Sequence, residues 1–244
     1  MPKDVPTTND AVPSGSPSVG PMFDRIAPTY DLLNHLLSLG RDYAWRRRVT
    51  RQLGGSEPRH LLDLATGTGD LLISLLRRCP AVGKATGLDI SQRMLDLCRQ
   101  KLRARGLAER VELVCADASA TPFPTGTFDV VTMAFGIRNT ADAAATLAEI
   151  QRVFKPGGTA VILEFSLPDH RAVRWCYLKY LRSVVPGIGA VVSGDKHAYR
   201  YLDESIEGFH QPEAFSFLMR QAGFREVSVI PLTWGVASIY KGTK

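Results

Sequence analysis

Between His60 and Phe165 the chain repeats one plan: a short apolar run, a turn, then a stretch with apolar residues at helical spacing. His60–Leu64, Ala85–Asp89, Val111–Ala116, Phe128–Ala134 and Thr159–Phe165 read as strands. One helical stretch carries Leu71, Leu72, Leu75 and Leu76. Another is Ser91–Arg105, opened by Ser91 as N-cap, and a third is Ala141–Phe154, expected to stop at Lys155-Pro156-Gly157-Gly158. Strands joined by helices pair in parallel through right-handed crossovers, so the pattern predicts a doubly wound α/β sheet. Arg225–Pro231 and Val236–Lys241 lie only a few residues apart. A gap that short forbids a helical crossover and permits a hairpin. Seven strands are therefore expected, mostly parallel, with an antiparallel pair at the C-terminal end.

The 244 residues suffice for one such domain and too few remain for a second. Residues 1–21 are rich in Pro, Ser, Thr and Gly and are expected to be a disordered tail. Residues 22–244 form the domain. Within it, 22–55 hold two helical stretches, and Leu167–Gln211 interrupts the alternation as an insertion. The four cysteines include no CxxC pair, which suits a reducing compartment. The longest uncharged apolar stretch, Ser183–Gly194, is short of the roughly 20 residues a spanning helix needs. The formal net charge is +6. Arg41, Arg46, Arg47, Arg48, Arg51 and Arg59 concentrate it locally, a cluster suited to nucleic acid, anionic lipid or an acidic substrate.

The chemistry concentrates in Leu61-Leu62-Asp63-Leu64-Ala65-Thr66-Gly67-Thr68-Gly69-Asp70. A strand enters a glycine-containing turn and continues as a helix, so Gly67 and Gly69 are expected to let a ligand approach the backbone. A dinucleotide fingerprint would place a third glycine where Leu72 stands, which counts against a pyrophosphate ligand. Asp89 ends the second strand and Asp117 follows the third. Each alone reads equally as a turn or N-cap residue. Together, at the carboxyl edge of one sheet, they suit the ribose hydroxyls and adenine of a nucleoside without a phosphate clamp. S-adenosyl-L-methionine has that chemistry.

These residues resemble the first motif of the class I S-adenosylmethionine-dependent methyltransferases, with Ala65 where that family usually has glycine. Tyr30-Asp31-Leu32-Leu33-Asn34 through Asp42 and Trp45, Phe135-Gly136-Ile137-Arg138-Asn139, Arg152–Gly158 with Glu164-Phe165-Ser166, and Tyr199–Ile206 narrow the resemblance. They are similar to segments of the quinone-pathway C-methyltransferases acting on demethylmenaquinol and, in some members, a polyprenyl methoxybenzoquinol. Leu33 replaces a usual Met and Asp42 a usual His. The resemblance covers residues 22–242.

It implies a Rossmann-like α/β fold with S-adenosyl-L-methionine as cofactor. Asp63, Gly67, Thr68, Gly69, Asp89, Asp117 and Ala118 are the expected cofactor residues. Arg138, Tyr30 and Asp31 are the expected catalytic residues, Arg138 to stabilise a developing phenolate and the other two to orient the quinol. An ion pair that holds its loop is the alternative for Arg138. His197, Tyr199 and Tyr201 fall in the insertion expected to cover the substrate. The sulfonium supplies the leaving group, so no metal is required, and no His/Cys/Asp cluster of useful spacing is evident. Expected partners are a polyprenyl naphthoquinol and, transiently, an anionic membrane surface, with no nucleic acid; a homodimer is left open. A cytoplasmic enzyme, peripheral at the inner face of the plasma membrane, follows. Arg171, Arg174, Lys179 and Arg182 are expected to face the lipid beside Trp175, with Val184–Val192 helping to form a channel for the tail. The alternative is methylation of another small molecule or of RNA.

Overall fold

The computed structural model describes residues 20–53, 59–185, 187 and 196–244. Residues 1–19 lie outside them, as do most of Val184–Val192 and the side chains of His197 and Tyr199, so the expectations for those residues stay as they stood. The helices are α1 (Gly20–Leu37), α2 (Arg41–Thr50), α3 (Asp70–Arg78), α4 (Gln92–Arg103), α5 (Ala143–Val153), α6 (Arg171–Ser183), α7 (Lys196–Glu207) and α8 (Pro212–Gln221). The strands are β1 (Arg59–Leu64), β2 (Val82–Asp89), β3 (Val111–Cys115), β4 (Phe128–Ala134), β5 (Phe154–Phe165), β6 (Arg225–Leu232) and β7 (Ala237–Thr243). Gly20 already lies in α1, two residues ahead of the expected start of the folded chain.

All seven strands join one sheet in the order β3-β2-β1-β4-β5-β7-β6. The first five are parallel, and β7 runs antiparallel between β5 and β6. The expected hairpin is present. The chain moves outward from β1 to β3 and then returns to β4 on the other side of β1. Between the carboxyl ends of β1 and β4 the connections diverge, leaving the crevice where ligands bind in sheets of this kind.

Successive strand residues supply opposite faces, and both faces are covered. Leu61, Val130, Val161 and Ile239 pack with Leu71, Leu72, Leu75 and Leu76 of α3 on one side. Leu62, Val131, Ile162 and Tyr240 pack with Leu147 and Ile150 of α5 and Phe215 of α8 on the other. The 3.6-residue spacing of α3 and the period of two in the strands describe one interface from its two sides.

One expected boundary moves. Helix α5 ends at Val153, and Phe154 pairs with Phe128 as the first residue of β5. Pairing then skips from Phe128↔Phe154 to Val130↔Thr159, so Lys155-Pro156-Gly157-Gly158 is extruded from the strand rather than preceding it. Fully buried Phe154 fixes this register; its ring lies 2.6 Å from where a Cβ on Gly158 would stand.

Three helices pack at the carboxyl edge of the sheet. Leu181 and Val185 after α6 meet Ile206 of α7, and Met22, Ile26 and Leu37 of α1 join them. The Tyr180 hydroxyl donates to the Leu37 carbonyl at 2.8 Å. Behind α1, Trp45 of α2 is buried against Phe135 and Phe165 at the tips of β4 and β5. Its Nε1–H donates to the Thr233 hydroxyl at 2.9 Å, tying α2 to the hairpin. Trp45→Ala should cost about 3–5 kcal/mol through the cavity and the lost bond, measured as a lower denaturant midpoint.

Candidate active site

The turn after β1 is built on left-handed backbone. Gly67 has φ 56° and Gly69 φ 86°, and Ala65 adopts φ 47° without being glycine. The small side chain at 65 is required by its neighbour: a Cβ on Gly136 would fall 2.5 Å from the Ala65 Cβ. Gly69 also answers to packing, since a Cβ there would stand 2.5 Å from Cys98 Sγ. It is not among the residues lining the cavity described below. The Gly67 N–H donates to Asp89 Oδ2 at 2.8 Å and the Ser91 N–H to Asp89 Oδ1 at 2.9 Å. Burial pushes the Asp89 carboxyl up, against those backbone bonds.

Asp63 takes a different place from the one expected. It is buried below the turn, where Thr66 Oγ1 (2.7 Å) and Thr132 Oγ1 (2.5 Å) donate to its two oxygens. Desolvation raises its pKa to about 6, opposed by those two hydroxyls. It bolts the turn to β4 and is not among the residues lining the two cavities described below.

A cavity of about 260 Å³ opens above the turn. Gly67, Asp89, Asp117 and Ala118 line it together, as expected from the sequence. Phe23 and Tyr30 of α1 and Phe135 after β4 complete its walls. Exposed Asp117 is held by the Ser119 N–H and hydroxyl, both 2.7 Å from its Oδ1. Two carboxylates at adjacent strand ends, with Arg138 as the one Lys or Arg in the lining, match a nucleoside bearing hydroxyls and an amine better than a polyphosphate. The residues present thus fit S-adenosyl-L-methionine. Thr68 does not reach the cavity. Its hydroxyl donates to Asp31 Oδ1 at 2.5 Å, and the Lys101 ammonium donates to the Thr68 hydroxyl at 3.1 Å and to Asp31 Oδ2 at 2.8 Å. Asp31 thereby latches α1 to the turn and is not among the residues lining either cavity.

A second, smaller cavity of about 60 Å³ lies between α1 and the tips of β4 and β5. Ile26, Leu37 and Phe165 make it apolar, and Asn34, Asp42 and Arg46 supply its polar groups. Phe23, Tyr30, Phe135, Arg138, Asn139 and Tyr201 line both cavities. Arg138 therefore stands on the shared wall, as does Tyr30, whose phenol burial pushes up. Arg138 also makes the alternative ion pair: Nη1 donates to Glu164 Oε1 at 2.6 Å and to the Phe135 carbonyl at 2.8 Å. Its Nε lies 3.4 Å from the Ser205 hydroxyl, while Nη2 makes no hydrogen bond among the described residues. Glu164 is fully buried.

Several site residues escaped the sequence reading. Glu164 and Asn139 sit in segments that carried the family resemblance, without a spacing that singled them out. Lys101 is one lysine on a polar helix face. His35, Asp42 and Asp70 bring potential ligand atoms within 4.8 Å of one another, a grouping that linear spacing hid. Arg46 bonds Asp42 and Lys101 bonds Asp70, so cations already balance both carboxylates. Burial opposes ionisation of Asp42, yet the Ser38 hydroxyl, Arg46 and His35 hold its carboxyl below the usual value. That places Asp42 in a structural network.

The ubiE/COQ5 methyltransferase family matches residues 11–244. The chain belongs to this family. A demethylmenaquinone methyltransferase of Thermus thermophilus is 48% identical over 91% of this chain and 100% of its own length. The ubiquinone/menaquinone biosynthesis C-methyltransferase UbiE of Geobacter sulfurreducens is 44% identical over 91% of this chain and 87% of its own. Among solved structures, a SAM-dependent methyltransferase from Aquifex aeolicus aligns with a TM-score of 0.62 at 20% identity, over 87% of this chain and 96% of that one. This likeness bears out the Rossmann-like α/β fold. The two cavities are thus those of a methyltransferase.

Because the Asp63 proton is bound more tightly in the folded than in the unfolded chain, its contribution to stability is complete below about pH 4. It is lost as the pH rises through about 6. Asp63→Asn should flatten the stability profile between about pH 4 and 6.5, read by urea titration at each pH.

Proposed function

We propose that this enzyme transfers the methyl group of S-adenosyl-L-methionine to a ring carbon of demethylmenaquinol, giving menaquinol. A polyprenyl methoxybenzoquinol is an acceptor of the same chemistry. The observation that carries this reading is the wall shared by a carboxylate-lined cavity and an aromatic-lined one, with Arg138 in it. The relatives named for demethylmenaquinone methylation support the acceptor class.

When bound, the cofactor supplies an electrophilic methyl on a sulfonium that departs as a neutral thioether. Asp89 and Asp117 accept hydrogen bonds from the nucleoside, and the backbone at Gly67 and Ala118 gives it room. On the acceptor side, Phe23, Ile26, Phe135 and Phe165 exclude water and hold an aromatic ring. A hydroquinone carbon becomes nucleophilic as the neighbouring phenol loses its proton. The unpaired Nη2 of Arg138 provides a donor for the oxygen on which that charge develops. Tyr30, whose phenol burial pushes up, offers a hydrogen-bond donor rather than a base. Ring deprotonation then restores aromaticity. Helices α1, α6 and α7 together cover the acceptor in this scheme.

The acceptor's polyprenyl tail resides in a bilayer, while none of the helices among the described residues is long and apolar enough to cross one. The enzyme therefore works at a membrane surface, taking its substrate laterally.

Methyl transfer from labelled cofactor to chemically reduced demethylmenaquinone tests the reaction, with the benzoquinol analogue alongside. No label in either product rejects it. Asp89→Ala should lower cofactor affinity by about two orders of magnitude or more, measured by calorimetry. Arg138→Leu alone leaves the Glu164 carboxylate buried and unpaired and should destabilise the fold by about 3–5 kcal/mol. Arg138→Leu with Glu164→Gln removes that burden. The double variant should bind cofactor normally and lose about 10²-fold in turnover; turnover restored to the parent level would make the role of Arg138 structural.

A further inference from the structure

Among the charges expected to face lipid, Arg171 has no carboxylate partner among the described residues, while three others make contacts within the fold. Arg182 pairs with Glu207 at 2.6 Å, the Arg174 Nε donates to the Pro168 carbonyl at 2.8 Å, and Lys179 lies over the Trp175 ring. Within the cluster at the start of α2, Arg46 is buried against Asp42.

Unpaired positive charge collects elsewhere. An open groove of about 530 Å³ runs between α2 and α3, lined by Arg47, Arg77, Arg78 and Arg105. All four are exposed, and none has a carboxylate partner among the described residues. Asp70 is the one acidic residue in the lining, and Lys101 and Arg46 already meet it. Guanidinium groups gathered around one groove without counter-charge repel one another and favour an anion between them.

An apolar ridge continues from the same groove. Tyr43 lines the groove and is 56% exposed. Four residues before it, Leu39 is 78% exposed, and Leu36 is 42% exposed. Leu39 also has φ 50°, a left-handed backbone that a leucine adopts at a cost. Backbone bonds from Leu39 to Leu36 and from Gly40 to His35 close this turn, which presents a large apolar side chain to solvent. The neighbours Leu37 and Ser38 line the acceptor cavity. Ridge and cavity mouth therefore adjoin.

We propose that this surface, the Leu36–Leu39–Tyr43 ridge with the arginine groove beside it, is where the enzyme seats on an anionic phospholipid bilayer. The groove takes lipid phosphates, and Leu39 inserts among the acyl chains next to the acceptor cavity. Charge alone would suit free phosphate or RNA equally. The strained, exposed leucine distinguishes a bilayer, which offers phosphate and hydrocarbon within a few ångströms of each other. This rests on the proposed action at a membrane and assigns its surface.

Co-flotation of the full chain with phosphatidylglycerol/phosphatidylcholine vesicles, at low and high salt, tests it. The parent should float at low salt and release at high salt. Arg77→Gln with Arg78→Gln should weaken vesicle affinity about twenty-five-fold, roughly fivefold for each arginine. Leu39→Asn should weaken it about tenfold or more. Asn tolerates the left-handed backbone, so its Tm should hold or rise, which separates lost membrane contact from lost folding. Every variant should still methylate a short-chain, water-soluble quinol at the parent rate. Variants that float like the parent overturn this surface and leave membrane action standing. A parent that never floats overturns both. Vesicle release by millimolar inorganic phosphate at constant ionic strength, or binding of the parent to tRNA but not to vesicles, also overturns the proposal.

Discussion

The buried pair of Arg138 and Glu164 sets the electrostatics of everything around it. A guanidinium 7% exposed, beside a carboxylate with no exposure at all, is stable only because each neutralises the other and further bonds complete their shells. Glu164 accepts from the Arg138 side chain and from the Phe165 N–H, and Arg138 is braced by the Phe135 carbonyl. The pair links β5 to the segment after β4 across the mouth of the crevice. It also settles the local charge. With Glu164 in place, the wall shared by the two cavities keeps a hydrogen-bond donor in Arg138 and adds little net positive charge.

A second buried carboxylate does comparable work one layer down. Asp63 accepts from two threonines, and these bonds hold the ends of β1 and β4 together at the switch in strand order. The same turn then presents the Gly67 N–H to Asp89 and so fixes the rim of the cofactor cavity. The motif's first acidic residue shapes the site through backbone position and its last glycine through helix packing against Cys98. Only the middle of the motif meets the cavity.

The strands, the hairpin and the crevice were legible in the sequence because each follows from a local rule: periodicity, gap length, a glycine turn between strand and helix. Asp89 and Asp117 were legible for the same reason, since strand ends in a parallel sheet share one edge. Directions of side chains were not. Thr68 and Asp31 belong to a motif and to a family segment, but whether they face ligand or each other depends on Lys101, which arrives from α4 about seventy residues after Asp31. Phe154 was read as helical because its neighbours are; the register with Phe128 decided otherwise. The pairing of surface charges was illegible for a related cause. A sequence counts arginines, whereas the fold decides which of them meet a carboxylate, as Arg182 meets Glu207.

Helix α1 brings these elements together. Its face toward the sheet carries Phe23 and Tyr30 into both cavities, and polar contacts fasten it at two points. Ser91 donates to Asp24 at 2.5 Å, beside Asp89, and Thr68 and Lys101 hold Asp31. The first contact ties the helix to the residue that caps α4, the second to the glycine turn, so both lie on elements that shape the cofactor cavity. The other end of α1 leads into the turn with the strained Leu39. One helix therefore connects the rim of the cofactor cavity, the acceptor cavity and the exposed ridge. A displacement of α1 must alter the packing of all three, because Tyr30, Leu37 and the Ser38–Gly40 turn follow one another along a single short stretch of backbone.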